Sequence, residues 1–438
     1  MPDHAHSADP AVQTQLDRLA ALSPGRDILG LERITELCRR LGNPHEHLPR
    51  TFHVAGTNGK GSTCAYLRAI LEASGRRVHA YTSPHLVRFN ERLRIDGTLI
   101  DDRLLAMLLE EVLDEAADLE ASFFEVTTAV AFLAFARHPA DDCILEVGLG
   151  GRLDATNIIP PPAVCGIASL GIDHEAFLLA PEAGTPSVPA ERIAWEKAGI
   201  VKPGSALATL AYPRAVQRVI ARRAEEAGVV PFAEGESWSV EPVGDAFRWT
   251  SMDGTLAGVL RPGMAGLHQM RNAGLAIAML HIAPGPKPDA GTIARGVAGA
   301  FWPARLQRLG TGPLTGLLPP ATEVWLDGAH NGDAGLQLAR HFASEPRRIH
   351  LIAGMLANKH PEAILDPLRD RLASLTVVPV PGHEHHDAAA FGSEARYATD
   401  VEAALRALTV DPARDIVLIA GSLYLAGEVL RANGELPE

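Results

Sequence analysis

Between an apolar run, Thr51 to Ala55, and a longer amphipathic one, Cys64 to Ala73, stand eight residues: Gly56, Thr57, Asn58, Gly59, Lys60, Gly61, Ser62 and Thr63. Thr-Phe-His-Val-Ala reads as a buried strand, and Leu67, Ile70 and Leu71 recur at spacings of three and four on one helical face. Strand, glycine-rich turn and helix in that order commit this part of the chain to an α/β sheet with a phosphate cradle at a strand end. Glycines let backbone N–H groups approach phosphate oxygens, the helix N-terminus favours negative charge, Lys60 adds a point charge, and a Ser or Thr hydroxyl can hold Mg²⁺. The lysine precedes Gly61 instead of standing directly before the hydroxyl residue, so this is a variant of the usual loop. The competing reading is a flexible Gly-Thr-Asn turn.

At 438 residues the chain exceeds the size at which a single core stops growing, so two domains are expected. A hydrophobic share of 47%, a charged share of 21% and a mean hydropathy near zero describe an ordinary globular protein. The formal charge of -13 argues against nucleic acid or an anionic membrane as partner, although a small anion needs only a local positive pocket. Cys38, Cys64, Cys143 and Cys165 form no metal-type pairs and suggest reduced thiols in a cytoplasmic setting. Residues 1 to 12 have neither a basic start nor an apolar core, so no signal peptide is expected. No run reaches the roughly 18 apolar residues of a membrane span.

From residue 51 to about 235, short apolar runs alternate with amphipathic segments, the signature of a parallel α/β sheet. Strands are expected at Thr51 to Ala55, Val78 to Thr82, Cys143 to Val147, Cys165 to Leu170 and Ala206 to Leu210. Helices are expected near Leu104 to Asp118, Thr127 to Arg137 and Pro213 to Ala227. Ser237 to Leu260, with alternating Trp238, Val240, Phe247, Trp249 and Leu256, predicts a small antiparallel hairpin patch. A helix near Leu267 to His281 follows, then the Pro-rich Ala283 to Asp289 and a seam at Phe301-Trp302-Pro303. Beyond it the alternation restarts, with strands near Glu323 to Leu326, Ile349 to Ala353, Leu375 to Val380 and Ile416 to Ala420. Two domains are therefore expected, 1–303 and 304–438. Leu178 to Pro189, with Pro181, Gly184, Pro186 and Pro189, reads as a surface loop.

Several strand ends carry chemistry. Cys143 to Val147 runs into Gly148-Leu149-Gly150-Gly151-Arg152-Leu153-Asp154, which puts Glu146 at a strand's carboxyl end, where α/β sheets collect ligands and a carboxylate suits a hard cation. The alternative for Glu146 is a buried, salt-bridged acid. The glycine spacing does not match the dinucleotide fingerprint. Asp173-His174 ends another strand, with a helix-start cap as its plain reading, and Ser83-Pro84-His85 ends a third, with a turn as its plain reading. His383, His385 and His386 lack regular ligand spacing and read as a solvated loop.

Together these segments resemble the folylpolyglutamate synthase and dihydrofolate synthase family of Mur-ligase-like, ATP-dependent amide ligases. The resemblance rests on Asp27 to Arg33, Ala55 to Thr63, Ser83 to Arg88, Leu145 to Asn157, Asp173-His174, Glu196 to Ile200, Asp327-Gly328-Ala329-His330-Asn331 and Gly354-Met355-Leu356. It implies an α/β fold: an N-terminal P-loop-type, ATP- and pteroate-binding central domain with a small antiparallel patch, and a C-terminal Rossmann-like ligase domain. By this resemblance Thr57, Asn58, Gly59, Lys60, Gly61 and Ser62 bind ATP phosphates, while Ser83, Glu146, His174 and Ser62 hold Mg²⁺. Lys197 matches the family's carbamylated lysine, a further metal ligand, because an N-carboxylated lysine presents an oxygen anion where an ammonium would repel the cation. From the sequence alone Lys197 reads as an exposed helix lysine. Asn272, Arg305, Asp327 and His330 match nucleotide contacts. Leu29, Gly30, Leu31 and Glu32, then Ser122, Phe123, Phe124 and Glu125, then Leu153, Asp154 and Ala155 match segments lining a dihydropteroate site; Phe123 and Phe124 also suit an ordinary core.

The sequence departs from the family pattern in three places. Ala304 precedes Arg305 where glycine is usual, the stretch between His174 and Lys197 is longer than usual, and His360 follows Lys359 where an acid is common. The resemblance implies addition of L-glutamate to 7,8-dihydropteroate and to reduced folates such as tetrahydrofolate, through an acyl phosphate, with Lys60, Lys197, His174 and Arg305 as the catalytic set and a monomer as the working form. The alternatives are a monofunctional folylpolyglutamate synthase, a UDP-muramoyl amino-acid ligase, for which the about 50 residues before the phosphate loop leave little room, and a non-catalytic nucleotide switch.

Overall fold

The apolar runs of the first half pair side by side in one eight-stranded sheet in the computed structural model, which describes residues 5–22 and 29–438. Asp27 and Ile28 of the family-like segment lie outside the described residues. The strands are β1 (Arg50–Ala55), β2 (Val78–Tyr81), β3 (Leu93–Ile95), β4 (Thr98–Leu99), β5 (Asp142–Glu146), β6 (Val164–Ile167), β7 (Ala206–Thr209) and β8 (Pro231–Ala233). Their order is β4-β3-β2-β5-β1-β6-β7-β8; β3 and β4 form an antiparallel edge and the other six strands run parallel. Strands β2, β5 and β6 are buried along their whole length, which is why they read as continuous apolar runs.

Chain order sets the position of the site. From β1 the chain passes to β2, returns through β5 beside β1, and then crosses to the opposite flank to form β6. The strand order reverses at β1, and the loops that leave neighbouring carboxyl ends there diverge and open a crevice. Register keeps those ends level: Val54 stands opposite Glu146, Tyr81 opposite Leu145 and Ala55 opposite Ile167.

Helices cover both faces. On one, Leu105, Leu109, Val130 and Phe132 from Asp102–Ala116 and Phe123–Arg137 pack with Leu16 and Leu19 of Pro10–Leu22. On the other, Ala194, Ala198, Ile200, Val216 and Ile220 close over β6 and β7. The hairpin patch is a three-stranded antiparallel sheet of β9 (Trp238–Val243), β10 (Ala246–Ser251) and β11 (Leu256–Leu260). Trp249 Nε1 donates to the Gly274 carbonyl at 3.1 Å, tying this sheet to helix Leu267–Ile282.

The chain divides into two compact units, one running to Gly263 and including Gln269–Phe301, the other comprising Met264–His268 and Trp302–Glu438. The second unit carries β12 (Gln307–Arg308), β13 (Val324–Leu326), β14 (Arg348–Ala353), β15 (Leu372–Val377), β16 (Arg396–Tyr397) and β17 (Asp415–Ala420) in the order β12-β13-β17-β14-β15-β16, parallel apart from β12. It is a second doubly wound α/β layer.

Element boundaries moved where local chemistry intervened. The phosphate-loop helix starts at Lys60, not near Cys64, because left-handed Gly59 turns the chain directly into it. The helix expected from Thr127 starts at Phe123, behind a reciprocal cap between Ser122 and Glu125. Strand β6 stops at Ile167 instead of Leu170, and the Ser169 carbonyl accepts the Thr57 and Asn58 N–H groups at 2.8 and 3.2 Å. The strand expected over Leu375 to Val380 lies at Leu372–Val377.

Helix Ala290–Gly299 crosses Lys60–Ala73 at Gly296, where a Cβ would stand 2.5 Å from Ile70 Cα. The obstacle is backbone, which cannot swing away. Gly296→Ala is expected to lower unfolding free energy in urea by about 1–3 kcal/mol; an unchanged transition would contradict this close crossing.

Candidate active site

The loop after β1 owes its shape to two glycines. Gly59 has φ +82°, and a Cβ there would fall 2.5 Å from Asn272 Oδ1. Asn272 is fixed in turn: its Nδ2 donates to Gln269 Oε1 at 3.1 Å, and Gln269 Nε2 donates to Ser62 Oγ at 3.3 Å, all three side chains being buried. A Cβ on Gly56 would meet Ala168 Cβ at 2.9 Å. The Thr57 hydroxyl donates to the Gly171 carbonyl at 2.8 Å and accepts the Gly171 N–H at 3.1 Å, which ties the loop to the end of β6. Lys60 Nζ rests on the Gly56 carbonyl at 3.1 Å. Lys60, Gly61 and Ser62 form the first turn of the helix, whose N–H groups have no intrahelical acceptor and favour an anion.

Charged groups from four segments meet this loop. Glu146, 4% exposed at the end of β5, accepts the Ser83 N–H at 3.3 Å; the Ser83–Pro84 peptide is cis. Asp154 is buried after the glycine run and accepts the Leu149 N–H at 2.8 Å and the Thr156 N–H at 3.0 Å. Burial raises its carboxyl above the ordinary value, while these hydrogen bonds and the Lys60 charge pull it back. Lys197 reverses the expectation of an exposed lysine: it is 4% exposed on helix Pro189–Ala198. Burial first, and the Lys60 charge second, bring its amine down to about 7, against the opposing pull of Asp154, Asp173 and Glu196. Lys60, Lys197, Asp154 and Asp173 therefore share one electrostatic neighbourhood. His174 is exposed, with φ +53°, and starts the short helix Glu175–Leu178; its own N–H donates to Asp173 Oδ1 at 2.8 Å.

Among the described residues no group of three or more His, Cys, Asp or Glu is gathered as a ready-made metal site. Buried Glu146 is a hard oxygen donor that suits Mg²⁺ rather than a softer transition metal. Burial loosens the Lys197 amine's hold on its proton and so weakens the charge that would oppose such an ion.

The helix that carries Lys197 is flanked by a charge cluster that the sequence does not announce. Arg152 from the glycine run and Arg192 from the Lys197 helix both pair with Glu196 (3.1 and 3.0 Å) and with Glu182 (2.6 and 2.9 Å) of the Leu178 to Pro189 loop. The guanidinium groups of Arg152, Arg192 and Arg223 stand 4.4, 5.0 and 5.3 Å from the Trp195 ring centroid. The loop is thus on the surface, as expected, but anchored by Glu182.

Of the substrate-lining candidates, Leu31 and Glu32 start helix Glu32–Arg40, with Leu29 and Gly30 before it, half-buried. Ser122 and Glu125 cap their helix: the Ser122 N–H donates to Glu125 Oε2 at 2.7 Å and the Glu125 N–H to Ser122 Oγ at 3.3 Å. Arg33 Nε also donates to Glu125 Oε2, at 3.1 Å, while buried Glu125 Oε1 has no hydrogen-bond partner. Phe123 is a core residue against Phe89. Phe124 instead lies over the glycine run, where a Cβ on Gly148 would come within 2.4 Å of its ring. Leu153 and Ala155 flank Asp154, Ala155 buried and Leu153 half-buried.

In the second unit, Asp327 is buried and accepts the Leu306 and Ala329 N–H groups, each at 2.7 Å. Arg305 donates to the Ala304 carbonyl at 3.0 Å and His330 Nδ1 lies 2.8 Å from the Gly328 carbonyl. Ala304 has φ +54°, the conformation that glycine adopts without penalty. The histidine loop is less solvated than expected: His383 stacks on Tyr424 with ring centroids 3.9 Å apart, and His386 Nε2 lies 2.6 Å from the Lys359 carbonyl.

Known proteins are similar to this chain in sequence and fold. Residues 305–423 match the family described as Mur ligase, glutamate ligase domain. A folylpolyglutamate synthase of Lacticaseibacillus casei is 34% identical over 424 residues, covering 91% of this chain and 92% of that one. A dihydrofolate synthase/folylpolyglutamate synthase of Bacillus subtilis is 32% identical over 443 residues, covering 91% and 94%. The crystal structure of a bifunctional folylpolyglutamate synthase/dihydrofolate synthase from Yersinia pestis, complexed with AMPPNP and a Mn ion, superposes with a TM-score of 0.82 at 30% identity, covering 97% of this chain and 99% of that one.

The buried amine has a measurable consequence. The folded-state value of Lys197 lies below the ordinary lysine value of 10.5, so the unfolded chain holds the additional proton between about pH 7 and 10.5. Stability contributed by this group therefore rises with pH across that window. In buffer free of carbon dioxide, Lys197→Met is expected to flatten the rise of the urea midpoint from neutral to alkaline pH; an unchanged slope would contradict the buried, near-neutral amine.

Proposed function

The chain belongs to the folylpolyglutamate synthase and dihydrofolate synthase family, and we propose from this membership that it adds L-glutamate both to 7,8-dihydropteroate and to reduced folates such as tetrahydrofolate. It is an ATP-dependent ligase that uses a divalent metal. The observation that carries the reading is the meeting of Lys60, Asp154 and a buried, near-neutral Lys197 at the carboxyl edge of the sheet, where the phosphate loop begins.

The residues present fit the nucleotide. Gly59 allows the loop to close against Asn272, and the first turn of the phosphate-loop helix offers N–H groups to phosphate. Lys60 supplies fixed positive charge, and the buried Ser62 hydroxyl is held by Gln269. Arg305, Asp327, His330 and Asn272 are proposed as further nucleotide contacts. Ser83, Glu146, His174 and Ser62 would hold Mg²⁺, which when bound polarises a phosphoryl oxygen. Lys197 is proposed to be carbamylated. Its neutral amine forms an N–C bond to carbon dioxide and loses one N–H proton, which turns the neutral amine into an anionic oxygen donor.

Phosphorylation of the substrate carboxylate makes an electrophilic acyl phosphate, and the glutamate amine displaces phosphate from it. Lys60 is proposed to stabilise the negative charge that develops, from a position fixed by the phosphate loop. Leu29 to Glu32, Phe124 and Leu153 to Ala155 are proposed to line the pterin pocket, with Glu125 Oε1 as an acceptor that still lacks a donor. Ser122 and Phe123 serve that pocket through the helix they start.

No helix among the described residues is long and apolar enough to cross a membrane, and all four cysteines are free and buried. We propose a cytoplasmic monomer with 1–303 as the ATP- and pteroate-binding region and 304–438 as the ligase domain.

Release of ADP measured with dihydropteroate and with tetrahydrofolate, each with and without glutamate, tests the reading. Glutamate-dependent turnover with both is expected; turnover with tetrahydrofolate alone would leave the monofunctional enzyme, and turnover with neither would overturn the proposal. Lys60→Ala and Glu146→Ala should each lower the rate by on the order of 10² to 10³.

A further inference from the structure

Asp154 is the end of a buried side-chain chain that starts one strand away. Its Oδ1 accepts the Thr156 hydroxyl at 2.5 Å and the Thr156 N–H at 3.0 Å, which fills both lone pairs of that oxygen. Its Oδ2 accepts the Leu149 N–H at 2.8 Å and keeps one lone pair. With Asp154 ionised, the Thr156 hydroxyl gives its one proton to the carboxylate and accepts from its other neighbour, His53 Nε2, at 2.8 Å. The neutral ring therefore carries its proton on Nε2. His53 Nδ1 is then a bare acceptor, buried with no hydrogen-bond partner. His53 lies inside β1 with no exposed surface, and burial drives its ring to about 3, so it does not charge at physiological pH.

A histidine kept neutral, in one tautomer, with one nitrogen unsatisfied, calls for an explanation that packing alone does not give. The opposite polarity of the chain, with a protonated Asp154 donating through Thr156 to His53 Nε2, would turn Asp154 from acceptor into donor. Which polarity holds decides what Asp154 offers a ligand.

We propose that His53 and Thr156 are positioning residues that hold Asp154 as an ionised acceptor, with a single free lone pair on Oδ2, for an N–H donor on the pterin ring of the substrate. The inference rests on the reading of Leu153 to Ala155 as part of the pterin pocket. Neither residue touches the phosphate loop in any hydrogen bond described above, so the effect falls on one substrate. Removing the Thr156 hydroxyl also removes one of the interactions that lower the Asp154 carboxyl, and its protonation then moves to higher pH.

The test compares Thr156→Val, His53→Phe and His53→Gln with the wild-type enzyme, using dihydropteroate, ATP and glutamate and reading KM for each substrate across acid pH. Thr156→Val and His53→Phe should raise KM for dihydropteroate about tenfold and leave KM for ATP within about twofold. The acid limb of dihydropteroate binding should move to higher pH in both. His53→Gln, whose amide can donate where Nε2–H did, should recover most of the loss. Thermal melts identify any variant that fails to fold, and His53→Gln carries the comparison if His53→Phe does. Equal rises in both KM values, an unmoved acid limb, or a glutamine variant no better than phenylalanine would overturn the inference. A wild-type enzyme without turnover on dihydropteroate would instead defeat the functional reading itself.

Discussion

Parallel pairing of β1 with β5 on one side and β6 on the other is the constraint from which the site follows. Parallel ladders in this register bring three strand ends to one level, and the reversal of strand order at β1 holds the loops beyond them apart. Glu146, Ser83, the Ser169 to Asp173 segment and the phosphate loop are brought together from distant parts of the chain by backbone hydrogen bonding. A slip of one residue between β1 and β5 would turn Glu146 to the other face. Glycines then permit close approach: Gly59 to Asn272, Gly148 to Phe124 and Gly56 to Ala168 are contacts that a methyl group would prevent.

Within that frame, the buried polar network differs in kind from the surface pairs. Ser62, Gln269 and Asn272 form a connected set in which the helix Leu267–Ile282 reports on the shape of the phosphate loop. Asp154, Thr156 and His53 form a second set that links the interior of β1 to the glycine run. Each buries polar atoms at the cost of desolvation and recovers it through mutual hydrogen bonds.

Much of this was legible in the sequence because strand ends are abrupt. Apolar runs that stop at Ser83, Glu146 and Asp173 announce both a sheet and its ligand edge, and the phosphate loop names its own context. The burial of Lys197 was not legible, because it follows from how its helix packs: Arg152 and Glu182, which pair around that helix, are distant in the chain or lie on a loop. Gln269 was missed although a polar residue in a largely apolar helix is a readable signal, and His53 was passed over as part of a strand core. Ser122 and Glu125 spell a capping box, Ser-x-x-Glu, which explains their identity without any ligand. The glycine expected before Arg305 is an alanine that nonetheless adopts φ +54°, so the backbone path is kept by its surroundings: the Gly328 N–H donates to the Ala304 carbonyl at 3.0 Å and Gln307 accepts the Ala304 N–H at 2.9 Å.

The anchoring of the Leu178 to Pro189 loop is graded in its exposure to solvent. The Glu182 side chain is 45% exposed, whereas Glu196 and Arg192, which pair with each other, are each 5% exposed. Mobile ions screen the first pair far more than the second. Raising ionic strength therefore weakens the Glu182 anchor of the loop sooner than the Arg192–Glu196 clamp on the Lys197 helix.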